Sequence, residues 1–208
     1  MTIKDEELIM KLDEYKNVEK LNYLEYCDYL QKKYGIGLCD YMTPNWTKNP
    51  KVTRTKDGLY AHHKYEDHAI MLSHPEYAKN NPYEWQKKEN IVYCNLLEHL
   101  LLHILICENP AENKNVNERV GIGGVVNYIV PELNDVYSGW VSKHAWQRNC
   151  HNIIINNKDV YMVLLKRFKE LYDNNPFIIN NLYRSDNVKY GTWPKENNYE
   201  LYDEIDQL

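Results

Sequence analysis

The segment Asn90–His103 constrains this chain more than any other. From Asn90 to Glu108 there is no Gly or Pro, and Leu96, Leu97, Leu100, Leu101, Leu102, Ile104, Leu105 and Ile106 surround a thin polar line of Asn95, His99 and His103. Apolar density on nearly every side predicts a buried helix opening at Asn90 and running to Glu108, around which the other elements must pack. Residues four apart share one helix face, so His99 and His103 project side by side. Imidazoles in an interior need a cleft, a metal ion or a hydrogen-bonding partner, because burying an unpaired polar group is costly.

The other elements read more weakly. Apolar residues at three- and four-residue spacings predict helix over 4–34, in two pieces, stopped by Gly35 and Gly37; 38–57, with Pro44 and Pro50, reads as irregular. Gly58–His63 and Ala69–Leu72 are expected to form two short strands joined by the polar turn Lys64-Tyr65-Glu66-Asp67, with His62 and His63 ending the first. A loop fills 74–89. A polar loop follows Glu108, then Val120-Gly121-Ile122-Gly123-Gly124 enters an apolar segment, and two further helices are expected at about 140–155 and 158–173. The class is α+β, mostly helical, in one domain of 208 residues, long enough to bury most of its apolar surface.

Charge and cysteine usage narrow the function classes. The net charge of −5 is concentrated in the tail, where Lys195 faces Glu196, Glu200, Asp203, Glu204 and Asp206. Residues 44–64 run the other way, with Lys48, Lys51, Arg54, Lys56 and Lys64 against Asp57 alone; Lys51, Arg54 and Lys56 are the candidate phosphate contacts. Five cysteines without a C-x-x-C pair, and an N-terminus without a signal-peptide pattern, lead us to expect a reduced, cytoplasmic protein. The longest apolar run, Leu96–Cys107, is broken by Glu98, His99 and His103 and is too short to span a bilayer.

Neutral imidazoles at i and i+4 suit one divalent ion, and a third nitrogen from a neighbouring strand would leave coordination positions open. Either His62 or His63 can supply it. Adjacent strand residues point to opposite faces, so one of the pair should reach the ion while the other stays free to act as a base.

The set His62-His63, Asn90-Ile-Val-Tyr-Cys, His99 and His103 resembles the HNH endonuclease motif, the ββα-metal fold. The resemblance implies a core over 58–107 between helical regions at 1–57 and 108–208. It implies metal-dependent hydrolysis of phosphodiester bonds, in DNA rather than RNA, with His63 as general base, Asn90 orienting it, and His62, His99 and His103 holding one divalent ion (Mg, Mn, Zn or Ni). A looser resemblance joins the segments Gly58-Leu59-x-x-His62-His63 and Tyr93-Cys-Asn-Leu-Leu-Glu-His-Leu100 to proteins of low-GC bacteria and their phages, and implies no activity.

Many HNH proteins carry C-x-x-C pairs for a structural zinc, whereas Asn95 and Glu98 occupy the equivalent helix positions here; any ion is expected to be catalytic. Asn95 and Glu98 are candidate partners fixing the imidazole tautomers. Asp67 is a possible further ligand, although an acidic turn residue is the simpler reading. Gly121, Gly123 and Gly124 could offer N–H groups to a phosphate, but tight packing is the stronger expectation. The alternative function is a non-catalytic protein that keeps the HNH scaffold for binding, such as a phage or mobile-element inhibitor with a protein partner. No membrane partner is expected.

Overall fold

Residues 10–208 are described by the computed structural model. Helix α1 (Leu12–Val18) leads into α2 (Tyr23–Tyr34), which begins at a capping box between Asn22 and Glu25. Gly35, at a φ of 82° that side chains disfavour, ends α2. Positions 4–9 of the expected N-terminal helix lie outside the described residues. An irregular stretch then leads to β1 (Tyr60–His63), which pairs antiparallel with β2 (Ile91–Cys94), His62 opposite Val92 and His63 opposite Ile91.

Helix α3 (Leu96–Glu108) follows β2 directly, and every residue from Leu96 to Ile106 except His99 is buried. The rod is covered by α2 on one side and by later helices on the others. Those are α4 (Ile122–Gly124), which passes through a π turn at Val125–Ile129 into α5 (Val130–Tyr137), then α6 (Ala145–Ile154) and α7 (Lys158–Leu171). A terminal helix, α8 (Tyr199–Asp206), packs Leu201 and Ile205 into the same core. The result is mostly helical with one small antiparallel sheet, as expected. Among the described residues, no helix is long and apolar enough to cross a membrane.

Two expectations are corrected. The partner of β1 is Ile91–Cys94, not Ala69–Leu72, so the chain makes a long excursion between the strands. Ile-Val-Tyr suits a strand buried on both faces. The Ala69–Leu72 segment buries Ala69 and Leu72, but its neighbourhood bonds to the loop after α3: Ile70 N–H donates to Glu118 (2.6 Å) and the His68 carbonyl accepts from Asn115 N–H (2.8 Å).

The helix also starts later than Asn90. Asn95 Oδ1 accepts from the N–H groups of Leu97 and Glu98 while the Glu98 carboxylate accepts from Asn95 N–H (2.8 Å), a capping box that separates strand from helix. Asn95 and Glu98 therefore form the helix start, and Glu98 spends its carboxylate there and on Lys33 and Tyr34 instead of on an imidazole.

Candidate metal centre

Strand β1 delivers His62 against the open face of α3, where His99 and His103 lie one turn apart. The ring centroids are 5.2 Å (His62–His99), 5.1 Å (His62–His103) and 4.9 Å (His99–His103) apart. One ring nitrogen of each lies within 4.8 Å of the others, so the three can hold one ion.

The hydrogen bonds around His62 prepare it for that role. Its Nε2 lies 2.8 Å from the Tyr23 hydroxyl, which also reaches the His63 carbonyl at 3.2 Å. With the tyrosine proton on that carbonyl, His62 donates Nε2–H to the tyrosine oxygen and keeps a bare lone pair on Nδ1. That Nδ1 is buried and has no hydrogen-bond partner among the described residues. A buried lone pair with no donor, facing two more imidazoles, fits a divalent cation.

Electrostatics point the same way. Burial pushes His62 down to about 3 against the pull of Glu66. Burial, then the neighbouring His103 and His62, holds His99 well below the usual histidine range, and burial also lowers His103. All three are neutral at neutral pH, the form that binds metal.

Glu66, read from sequence only as part of a polar turn, stands among these histidines. Its Oε2 is 3.6 Å from His62 Nδ1 and 3.4 Å from His103 Nε2, and its Oε1 is 3.4 Å from His63 Nδ1. Burial opposes its ionisation, but His62, His63 and His103 outweigh that cost and hold its carboxyl well below the usual range. The available signal was a carboxylate four residues past His62, in a turn short enough to fold back onto the strand.

The other expected residues are placed as follows. His63 is fully buried, packed on the Tyr41 ring (4.3 Å between centroids) with Nε2 3.1 Å from Gln86 Oε1. Asn90 sits at the end of the ribbon: its carbonyl accepts from Lys64 N–H (2.8 Å), next to His63, and its amide donates to the Glu84 carbonyl (2.8 Å). Asp67 spends its carboxylate on the adjacent His68 (2.6 Å).

A cleft of about 840 Å³ opens onto His99, His103 and Glu66, and Lys48, Arg54 and Arg119 line it. Of the expected phosphate contacts only Arg54 is there, its guanidinium already engaged by Asp57, the Tyr34 carbonyl and the Tyr93 ring. Lys51 and Lys56 are exposed and do not line the cleft; Lys48 and Arg119 do.

Gly121 and Gly124 serve packing, as expected, whereas a Cβ on Gly123 would meet only Asn127 Nδ2, at 3.6 Å. A Cβ on Gly124 would lie 2.2 Å from His103 Cε1, so α4 can back the imidazole only without a side chain there. Alanine would gain about 0.5–1 kcal/mol of helix propensity. The overlap costs about 1–3 kcal/mol, so Gly124→Ala is expected to lower stability and weaken ion binding together, as read by urea unfolding and by ion titration. A more stable variant with unchanged ion affinity would contradict this packing role.

No protein-family model, curated protein or solved structure matches the chain.

Proposed function

We propose that the protein is a metal-dependent endonuclease of the HNH type that hydrolyses phosphodiester bonds in DNA. One observation carries the reading. In the order strand, strand, helix, His62 from β1 comes together with His99 and His103 from α3, and the two α3 histidines line a cleft that Lys48, Arg54 and Arg119 also line. A bound divalent ion supplies Lewis acidity, acidifying a water and stabilising charge on the phosphate and the leaving oxygen.

The protein's own groups do the rest. Lys48, Arg54 and Arg119 attract and orient the phosphate backbone. Gln86 donates its Nε2–H to the Leu72 carbonyl (3.2 Å) and so offers Oε1 to His63, which places the ring proton of His63 on Nε2. The free lone pair on Nδ1 faces Glu66 Oε1 at 3.4 Å, so a proton taken from a water in the cleft would be relayed to His63 through the Glu66 carboxylate. Asn90 fixes the end of the ribbon that carries His63.

Supercoiled plasmid incubated with Mg²⁺, Mn²⁺, Ni²⁺ or Zn²⁺ is expected to be nicked, with cleavage lost on chelation. His63→Ala should reduce the rate about 10²–10⁴-fold, the usual contribution of a general base. Full activity in that variant would remove His63 from the reaction, and absence of cleavage with every ion would remove the nuclease reading. A second reading, a binding protein that keeps the scaffold without cutting, is favoured by the sealing of His63 behind Tyr41 and Gln86.

A further inference from the structure

We infer that Glu66 is a fourth protein ligand, so that the centre is a three-histidine, one-carboxylate site for a transition-metal dication. The inference rests on reading the three histidines as a metal centre and extends it to the ligand set and the ion class. A carboxylate oxygen and an imidazole nitrogen that share one ion at 2.0–2.2 Å lie roughly 3–3.6 Å apart, depending on geometry. Glu66 Oε2 meets that spacing twice, at 3.6 Å from His62 Nδ1 and 3.4 Å from His103 Nε2.

Both distances exceed those of a normal nitrogen–oxygen hydrogen bond. The oxygen and the two nitrogens face one another without bonding, an arrangement that a cation between them completes. The orphaned Nδ1 of His62 is further support, since no donor among the described residues satisfies it.

The two oxygens of Glu66 then have separate tasks. Oε2 faces the ion, while Oε1 stands beside the His63 backbone N–H (3.4 Å) and His63 Nδ1 (3.4 Å). The backbone N–H of His63 thereby helps position the ligand, while its ring remains the proposed proton acceptor. Glu66, His99 and His103 line the cleft whereas His62 does not, so the open coordination positions face the space that substrate would enter.

Three nitrogens and one oxygen also select the ion. Mg²⁺ and Ca²⁺ prefer oxygen ligands, whereas imidazole suits Zn²⁺, Fe²⁺, Ni²⁺ and Co²⁺. The centre is assigned to that second group.

The test uses the full chain, stripped with a chelator and titrated with Co²⁺ while its visible absorption is recorded, with Zn²⁺ affinity measured against a chromophoric chelator. Glu66→Gln is expected to weaken both ions at least roughly 10-fold and to change the Co²⁺ bands. Equal affinity and identical bands would overturn the assignment of Glu66 and leave the three-histidine centre standing. No Co²⁺ or Zn²⁺ bound by the unaltered chain would overturn both. Displacement of Co²⁺ by comparable concentrations of Mg²⁺ would overturn the ion class. If Glu66→Gln does not fold, Glu66→Asp carries the same comparison, because its shorter stem withdraws the oxygen: shifted bands support the ligand, and unchanged bands and affinity overturn it.

Discussion

Below pH 6.5 the metal-free protein is expected to lose stability steeply. Burial lowers His62 to about 3 and holds His99 and His103 below their ordinary value. The unfolded chain takes up protons at these histidines as the pH falls through about 6.5, while the folded chain does not. The stabilising contribution is therefore fully present above about 6.5 and is lost as the pH falls toward the folded values. His62, lowered to about 3, contributes a slope approaching about 1.4 kcal/mol per pH unit below about 6.5, and His99 and His103 add to it in the same direction.

A domain is stable by only about 5–15 kcal/mol, so a loss of a few kcal/mol on acidification is a large fraction of it. Urea unfolding with chelator present, at pH 7, 6 and 5, measures the slope, and His62→Asn should flatten it by up to about 1.4 kcal/mol per unit. Bound ion should shift the acid transition downward, since metal and protons compete for the same nitrogens. A flat profile between pH 6.5 and 5 would mean that the imidazoles titrate alike in both states.

Lys33→Met is expected to destabilise the protein by about 3 kcal/mol, the cost of leaving a buried charge without its partner. The Glu98 side chain is fully buried and accepts from Lys33 Nζ (2.9 Å), Tyr34 O–H (2.9 Å) and Asn95 N–H (2.8 Å). Lys33 also meets Glu14 (2.5 Å), tying α1, α2 and the start of α3 to one ammonium. Without it, two neutral donors must hold the carboxylate, which burial already disfavours.

The double variant Lys33→Met, Glu98→Gln should recover part of the loss, because no charge is then left inside. A double-mutant cycle by urea unfolding reads the coupling directly. A single-variant loss below about 1 kcal/mol would place this pair among ordinary surface ion pairs. The functional consequence is geometric: the pair anchors the first turn of α3, at the residue before His99.

The α3 histidines were legible because helical spacing is local. His99 and His103 share a face in any helix through 96–108, and the solid apolar surround required that face to meet something polar. The alternation of a strand also required that His62 and His63 diverge in part. His62 meets Tyr23, His99 and His103, whereas His63 meets Tyr41 and Gln86. The capping box at Asn95 and Glu98 was visible as Asn-x-x-Glu, but the apolar continuity of 90–106 hid the break that it marks.

The pairing of β1 was not legible, because Ala69–Leu72 and Ile91–Cys94 are both short and apolar, and only the competing bonds of the loop after α3 decide between them. Glu66 was hidden for a related reason. A carboxylate in a polar turn looks solvated until the turn folds back over two imidazoles, leaving its side chain only 18% exposed.

By itself the sequence determined a buried helix with two histidines on one face, a histidine pair on a strand, and a mostly helical body around them. Only the tertiary structure decided which strand pairs with β1, which member of the pair faces α3, and that Glu66, Lys48 and Arg119 share the cleft. Periodicity follows from backbone geometry within a few residues. Pairing and cleft composition depend on contacts between segments tens of residues apart, where alternatives of similar local propensity are separated by packing and hydrogen-bond satisfaction.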